Sequence, residues 1–155
     1  MALNWETMTN ANATIHYAGN DYFVAVPPSG HAVTLDVNGE RSSAPGPLEL
    51  LLIALGGCTG TDVISVLHKK RQQITNYRIE VHGERREEHP RSFRRMEVRH
   101  ILHGRAISEE AVKKAVDISI NKYCSVAATL RPTVEIVTSY EIHEDAAPEQ
   151  SAKEQ

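Results

Sequence analysis

The chain opens with short runs that alternate apolar and polar positions, and a long, nearly unbroken apolar stretch follows them. Residues 11–17 alternate and meet a turn signal at Ala18–Asp21. Tyr22–Val26 is a second alternating run, closed by Pro27–Gly30. Ala32–Asp36 is a third, closed by Asn38 and Gly39. Three short strands with turns between them predict an antiparallel meander. Pro47 then stands where a helix can begin without losing a needed N–H. A helix is predicted from about Leu48 to about Arg71. Its early part is apolar on nearly every side, which predicts burial all round, and its later part turns Val63, Ile64, Val66 and Leu67 inward. Lys69–Arg71 end it with cations, as the helix dipole favours.

Alternation resumes at Tyr77–Glu84 and, after a charged turn, at Phe93–His103. A second helix is predicted from Ser108, a good N-cap, with Glu109 and Glu110 in its first turn. Val112, Ala115, Val116 and Ile120 form its inward stripe, and Cys124 falls near the same face if the helix reaches it. A last strand covers Thr133–Ile142. The order βββ-α-ββ-α-β makes an α+β fold, taken as one domain over residues 1–143 with a disordered tail over 144–155. The first helix is too apolar for a small sheet to cover, which predicts a second copy of the chain against it.

Composition narrows the classes. Hydrophobic residues make up 41% and charged residues 24%, as in ordinary globular proteins. A net charge of −3 and an aromatic content of 5% give no case for nucleic acid or an anionic membrane. The opening Met1–Glu6 has neither a basic start nor an apolar core, so a cytoplasmic protein is expected. Residues 48–67 carry Glu49, Asp62, Ser65 and three glycines, and read as a core helix rather than a membrane span. Gly56, Gly57 and Gly60 lack the lysine and preceding strand of a phosphate loop and suggest close helix–helix contact. His100 and His103 lie three apart on a strand, so they face opposite ways and cannot share an ion. No metal and no cofactor are expected. The arginines at 85, 86, 94 and 95, interrupted by Glu87 and Glu88, suggest a self-paired, solvated tip.

The two cysteines, Cys58 and Cys124, are the remaining chemistry. Each has a plain reading as a small core residue. The alternative is a reactive thiol with its resolving partner. Two motifs favour the second reading: Pro47, Glu49 and Leu50–Leu52 leading to Ala54–Thr59, then Asp62 and Lys69–Arg71; and Lys122–Val126 around Cys124. In this order and spacing they resemble the OsmC/Ohr family, and the broader OsmC-like branch more than Ohr itself. The resemblance covers about residues 10–143. It implies intertwined homodimers with sites at the interface, and reduction of organic hydroperoxides in oxidative or osmotic stress, with an external thiol as reductant. By position it makes Cys58 the peroxidatic and Cys124 the resolving cysteine, and Glu49 a site carboxylate.

The chain departs from that family in two places. No arginine precedes Arg41, although family peroxidases use one from the N-terminal strands. Leu48 follows Pro47 and the glutamate comes one residue later, a rotation of about 100° around a helix. Nine residues also separate Glu49 from Cys58, which places them on opposite faces of a straight helix unless it kinks at Gly56–Gly57 or a partner chain supplies one of them. Arg41, His16 and His100 are candidates to replace the missing cation. Glu49 itself has a second reading, as a charge favoured by the helix dipole, and Asp62 reads as solvated or capping. Two functions follow: a thiol-dependent hydroperoxide reductase, slow or with a different substrate for want of the arginine, or a dimer that binds a small hydrophobic ligand.

Overall fold

Two residues carry the first turn. Asn20 and Asp21 both take positive φ, 50° and 63°, between the paired Gly19 and Tyr22. That is the two-residue hairpin geometry whose twist matches the flanking strands, and Asn and Asp tolerate it well. The computed structural model describes residues 12–146: Glu144, where the disordered tail is expected to begin, is still in a strand, and the tail beyond Ala146 lies outside the described residues, as does the start of the first predicted strand. The chain divides into two units, one ending at Leu51 and one beginning at Leu52.

In the first unit, β1 (Thr14–Gly19), β2 (Tyr22–Val26) and β3 (Val33–Asp36) form the expected antiparallel meander. The register pairs Ile15 with Ala25 and Ala25 with Val33, and Tyr17 with Phe23 and Phe23 with Leu35. One face of the sheet is therefore apolar throughout. It stays largely open: Ile15 and Tyr17 are exposed and only Leu35 is buried. Helix α1 (Pro47–Lys69) starts in this unit and continues into the next.

In the second unit, β4 (Gln73–Arg85) and β5 (Phe93–Arg105) form a long antiparallel hairpin, and β6 (Glu135–Glu144) lies parallel to β5, which becomes the central strand. A parallel pair needs a crossover, and the second helical region supplies it. Along β5 the period of two holds from Met96 to His100, beyond which Ile101 is buried as well. Met96, Val98, His100 and Leu102 are buried, whereas on the other face Arg95 pairs with Glu97 and Glu135, and Arg99 with Glu80 and Glu141. The core joins Val63 and Leu67 of α1, Leu102 of β5, and Ala111, Val112, Ala115 and Val116 of the second helix. His100 and His103 do point to opposite faces: His100 is buried, and His103 stacks on His143 at 4.7 Å between ring centres.

Two features of helix α1 bear on its packing. By length and composition it could cross a bilayer, with a mean hydropathy of 1.9 over its most apolar window. Here it packs on the sheet along one side, and its early apolar residues are not covered all round: Ile53 is 61% exposed. Two of its glycines, Gly56 and Gly60, make a contact with the sheet. A Cβ on Gly60 would come 2.2 Å from Ile79 Cδ1 and one on Gly56 2.9 Å from Val81 Cγ2. Gly56 and Gly60, one turn apart, let the helix press onto β4, so helix-on-sheet packing accounts for them. The helix ends at Lys69 with Arg71 in the left-handed conformation (φ 56°). The Arg71 N–H donates to His68 O and the Gln72 N–H to Leu67 O, the two bonds that satisfy terminal carbonyls.

Ser108 caps the second helix as predicted, accepting the Ala111 N–H at 3.2 Å. The helix does not run on to Cys124. It is α-helical as α2 (Glu109–Ile118), widens into a π-helical turn over Ser119–Tyr123, breaks at Cys124 and restarts as α3 (Ser125–Leu130). Periodicity could not show this, since one wide turn changes the face of every later residue. Such turns often mark functional positions.

Candidate functional site

The break brings the two cysteines together. Cys124 has extended backbone (φ −69°, ψ 101°) and caps α3, its Sγ accepting the Ala127 N–H at 3.3 Å. Cys58 sits on α1, and Asp62 follows one turn later on the same side. The two sulfurs and a carboxylate oxygen of Asp62 all lie within 4.8 Å of one another. Both thiols are free. Cys124 is buried at 4% exposure, and Cys58 is half-buried. Burial, with the Cys58 thiol beside it, pushes the Cys124 thiol up to about 11.

Ser119, buried in the π-helical turn, ties the cluster to its frame. Its hydroxyl donates to Asp62 Oδ2 at 3.0 Å and lies 3.3 Å from the Thr59 carbonyl. Thr59, also buried, returns its hydroxyl to Leu55 O at 2.9 Å within α1. Beside Asp62 opens a pocket of about 320 Å³ lined by Asp62, Ser65, Val66, Lys69, Ile118 and Tyr123. Asp62 is thus a member of the site rather than a solvated or capping residue. The signal was present in the sequence as Cys58 and Asp62 four apart on one helix. What the sequence did not reveal was that the wide turn would deliver Cys124 and Ser119 to that face.

The other candidates have their own partners. Glu49 Oε2 accepts the Gly46 N–H at 2.6 Å, the backward half of a capping box at the start of α1. The helix runs unbroken through Gly56 and Gly57. Arg41 grips Asp36 with two bonds, Nε to Oδ2 at 2.9 Å and Nη2 to Oδ1 at 2.8 Å. It also donates to Asn20 O and lies over the Tyr22 ring at 3.9 Å. Asp36 further accepts from the Asn38 N–H and from the N–H and hydroxyl of Ser43. The Arg41 guanidinium holds the Asp36 carboxyl well below the usual carboxylate range. His16 is exposed on β1. His100 Nδ1 is 2.6 Å from the Tyr77 hydroxyl, and its Nε2 is buried with no partner among the described residues. Burial pushes His100 down to about 4 and the Tyr77 hydroxyl upward. A neutral imidazole of this kind is no cation for a thiolate.

Similarity to known proteins fits this arrangement. Residues 39–139 match the family model of OsmC-like proteins. Protein YhfA of Escherichia coli K12 is 42% identical over 120 residues, which is 77% of this chain and 89% of YhfA. The crystal structure of a hypothetical protein from Aquifex aeolicus superposes with a TM-score of 0.79 at 29% identity, covering 90% of this chain and all of that one. The organic hydroperoxide resistance protein OhrB of Bacillus subtilis shares the fold at 14% identity, with a TM-score of 0.59 over 85% of this chain and 98% of its own. With two cysteine motifs meeting at one point of an α+β fold, and a family match across most of its length, the chain belongs to the family of OsmC-like proteins.

Proposed function

We propose that the protein is a thiol-dependent reductase of organic hydroperoxides, with Cys58 as the attacking and Cys124 as the resolving thiol. The observation that carries this is the meeting of the two sulfurs, within 4.8 Å, across a helix break. Cys58 is the more accessible of the two, which suits it to meet a substrate. Its thiolate attacks one oxygen of the peroxide. An S–O bond forms, the O–O bond breaks, and the alcohol leaves with a proton. The Cys124 sulfur then attacks the sulfenic acid, an S–S bond forms and water leaves. An external dithiol restores both thiols by exchange and is itself oxidised to a disulfide. Glu49, committed to the Gly46 N–H at the start of an unbroken α1, would enter the pocket only from a second copy of the chain. The protein acts as a cytoplasmic homodimer in stress protection in this reading. The open apolar face of β1–β3 and the exposed Ile53 are the surfaces a second copy would cover.

The chemistry is slower than in a dedicated peroxidase, because Arg41, the candidate to replace the family's arginine, is committed to Asp36. The experiment is a thiol titration with intact mass after a stoichiometric pulse of cumene hydroperoxide. Both thiols disappear together in the wild-type chain. Cys58→Ser abolishes the reaction, and Cys124→Ser stops at the sulfenic acid. Two thiols surviving in excess peroxide would overturn the proposal and favour the second reading, a dimer that holds a small hydrophobic ligand.

A further inference from the structure

We propose that the reduced Cys58–Asp62–Cys124 cluster binds a thiophilic divalent metal, with zinc(II) the best match. Both sulfurs and one carboxylate oxygen hold the ion, and its fourth position is open to the pocket beside Asp62. The three donor atoms already lie within 4.8 Å of one another. A tetrahedral zinc with sulfur at about 2.3 Å needs its two sulfurs about 3.8 Å apart, so closing the site takes at most about 1 Å of side-chain movement. Two donors share one side of α1, a turn apart, and the third sits at the break before α3. The surroundings resemble those of an inner-sphere ligand set held by outer partners. Ser119 orients Asp62, whose carboxylate retains lone pairs for a metal, and the Ala127 N–H bonds the Cys124 sulfur. Two sulfurs and a carboxylate select zinc over magnesium or calcium, which prefer all-oxygen shells. Three protein donors with an opening match the sites in which zinc keeps an exchangeable position.

The charge balance explains what the metal would supply. Two thiolates and Asp62 would put three negative charges in one place, and Lys69 is the basic residue among those that line the pocket. A divalent cation meets that charge directly. Binding releases one proton from each thiol, so affinity rises with pH. Metal binding and oxidation exclude each other: a disulfide removes both thiolates, and a bound metal engages the lone pairs that would attack a peroxide. The inference does not depend on the peroxidase reading, since it needs reduced thiols and no peroxide.

The test uses the reduced full-length chain under anaerobic conditions, with cobalt(II) as a spectroscopic stand-in that zinc(II) displaces. One equivalent per chain is expected, with a thiolate-to-cobalt charge-transfer band and the d–d bands of a tetrahedral site. Asp62→Asn weakens binding at least about tenfold and keeps the sulfur band. Cys58→Ser and Cys124→Ser each remove it. Wild-type chain with alkylated thiols loses the band as well, a control that needs no variant to fold. The absence of a thiolate band in the reduced chain overturns the proposal. So does stoichiometric binding that survives Cys58→Ser, which would point to surface histidines such as the stacked His103 and His143. A chain that reduces peroxide without binding cobalt, or binds cobalt without reducing peroxide, separates this proposal from the previous one.

Discussion

Asp36 and Asp62 are both acidic side chains in sheltered positions, and they are answered by opposite neighbours. Asp36 accepts five hydrogen bonds, two of them from the Arg41 guanidinium, and every donor lies within a few residues on the loop that follows β3. Asp62 has one hydroxyl donor, Ser119, and two thiols. The first carboxylate is saturated and serves to fasten a loop. The second keeps free lone pairs next to groups that can lose protons. Burial of a carboxylate is therefore no guide to its role; what matters is whether its charge is already met. The comparison also explains why Arg41, the obvious cation to stand in for the family's missing arginine, is already committed.

The comparison breaks most directly through stability. Asp36→Ala leaves Arg41 and the Ser43 donors without their acceptor, and it should lower the thermal midpoint more than Asp62→Ala, which removes one hydroxyl-to-carboxylate hydrogen bond worth about 2 kcal/mol. Equal shifts in the two variants would show that the saturated network does not hold the loop.

Acid separates a third buried group from both. His100 stays neutral in the fold down to about pH 4, whereas the unfolded chain takes up its proton near 6.5. The unfolded state binds more protons in that window, so stability is complete above pH 6.5 and falls by about 3 kcal/mol as pH drops to about 4. Asp36 titrates below the usual carboxylate range and adds its loss only at lower pH. Urea unfolding at pH 7 and at pH 4.5 measures the first step. The double variant Tyr77→Phe/His100→Leu, which removes both members of the pair, should flatten it.

Asp62→Asn sharpens the reactive side of the comparison. Removing the negative charge beside the sulfurs should speed consumption of cumene hydroperoxide. A slower reaction would mean instead that Asp62 accepts a thiol proton. The smallest effect belongs to Glu49. Glu49→Ala should cost about 1 kcal/mol through the lost cap. If its charge also orients the pocket, Glu49→Gln will retain the stability and still slow peroxide turnover; an unchanged rate assigns Glu49 to the cap alone.

Much of the fold was legible because it rests on local periodicity and local capping. The alternation of β1–β3 and of β5, the cap at Ser108 and the opposite facing of His100 and His103 all follow from periods of two and 3.6 and from single side chains. The long-range pairing of β6 alongside β5 does not, because alternation is blind to which strand is the neighbour. The resemblance to a family singled out Cys58 and Cys124 from the sequence, but spacing could not bring their sulfurs together. A π-helical turn adds about a residue to one turn of helix, leaves no signature in the apolar pattern, and changes the direction of everything after it. Tertiary structure alone decided that Ser119 and Cys124 meet Cys58 and Asp62, that Gly56 and Gly60 press on β4, and that Arg41 belongs to Asp36. The reason is the same in each case. A repeat along the chain records which face a residue occupies, whereas charge and reactivity depend on what the opposite element presents to that face.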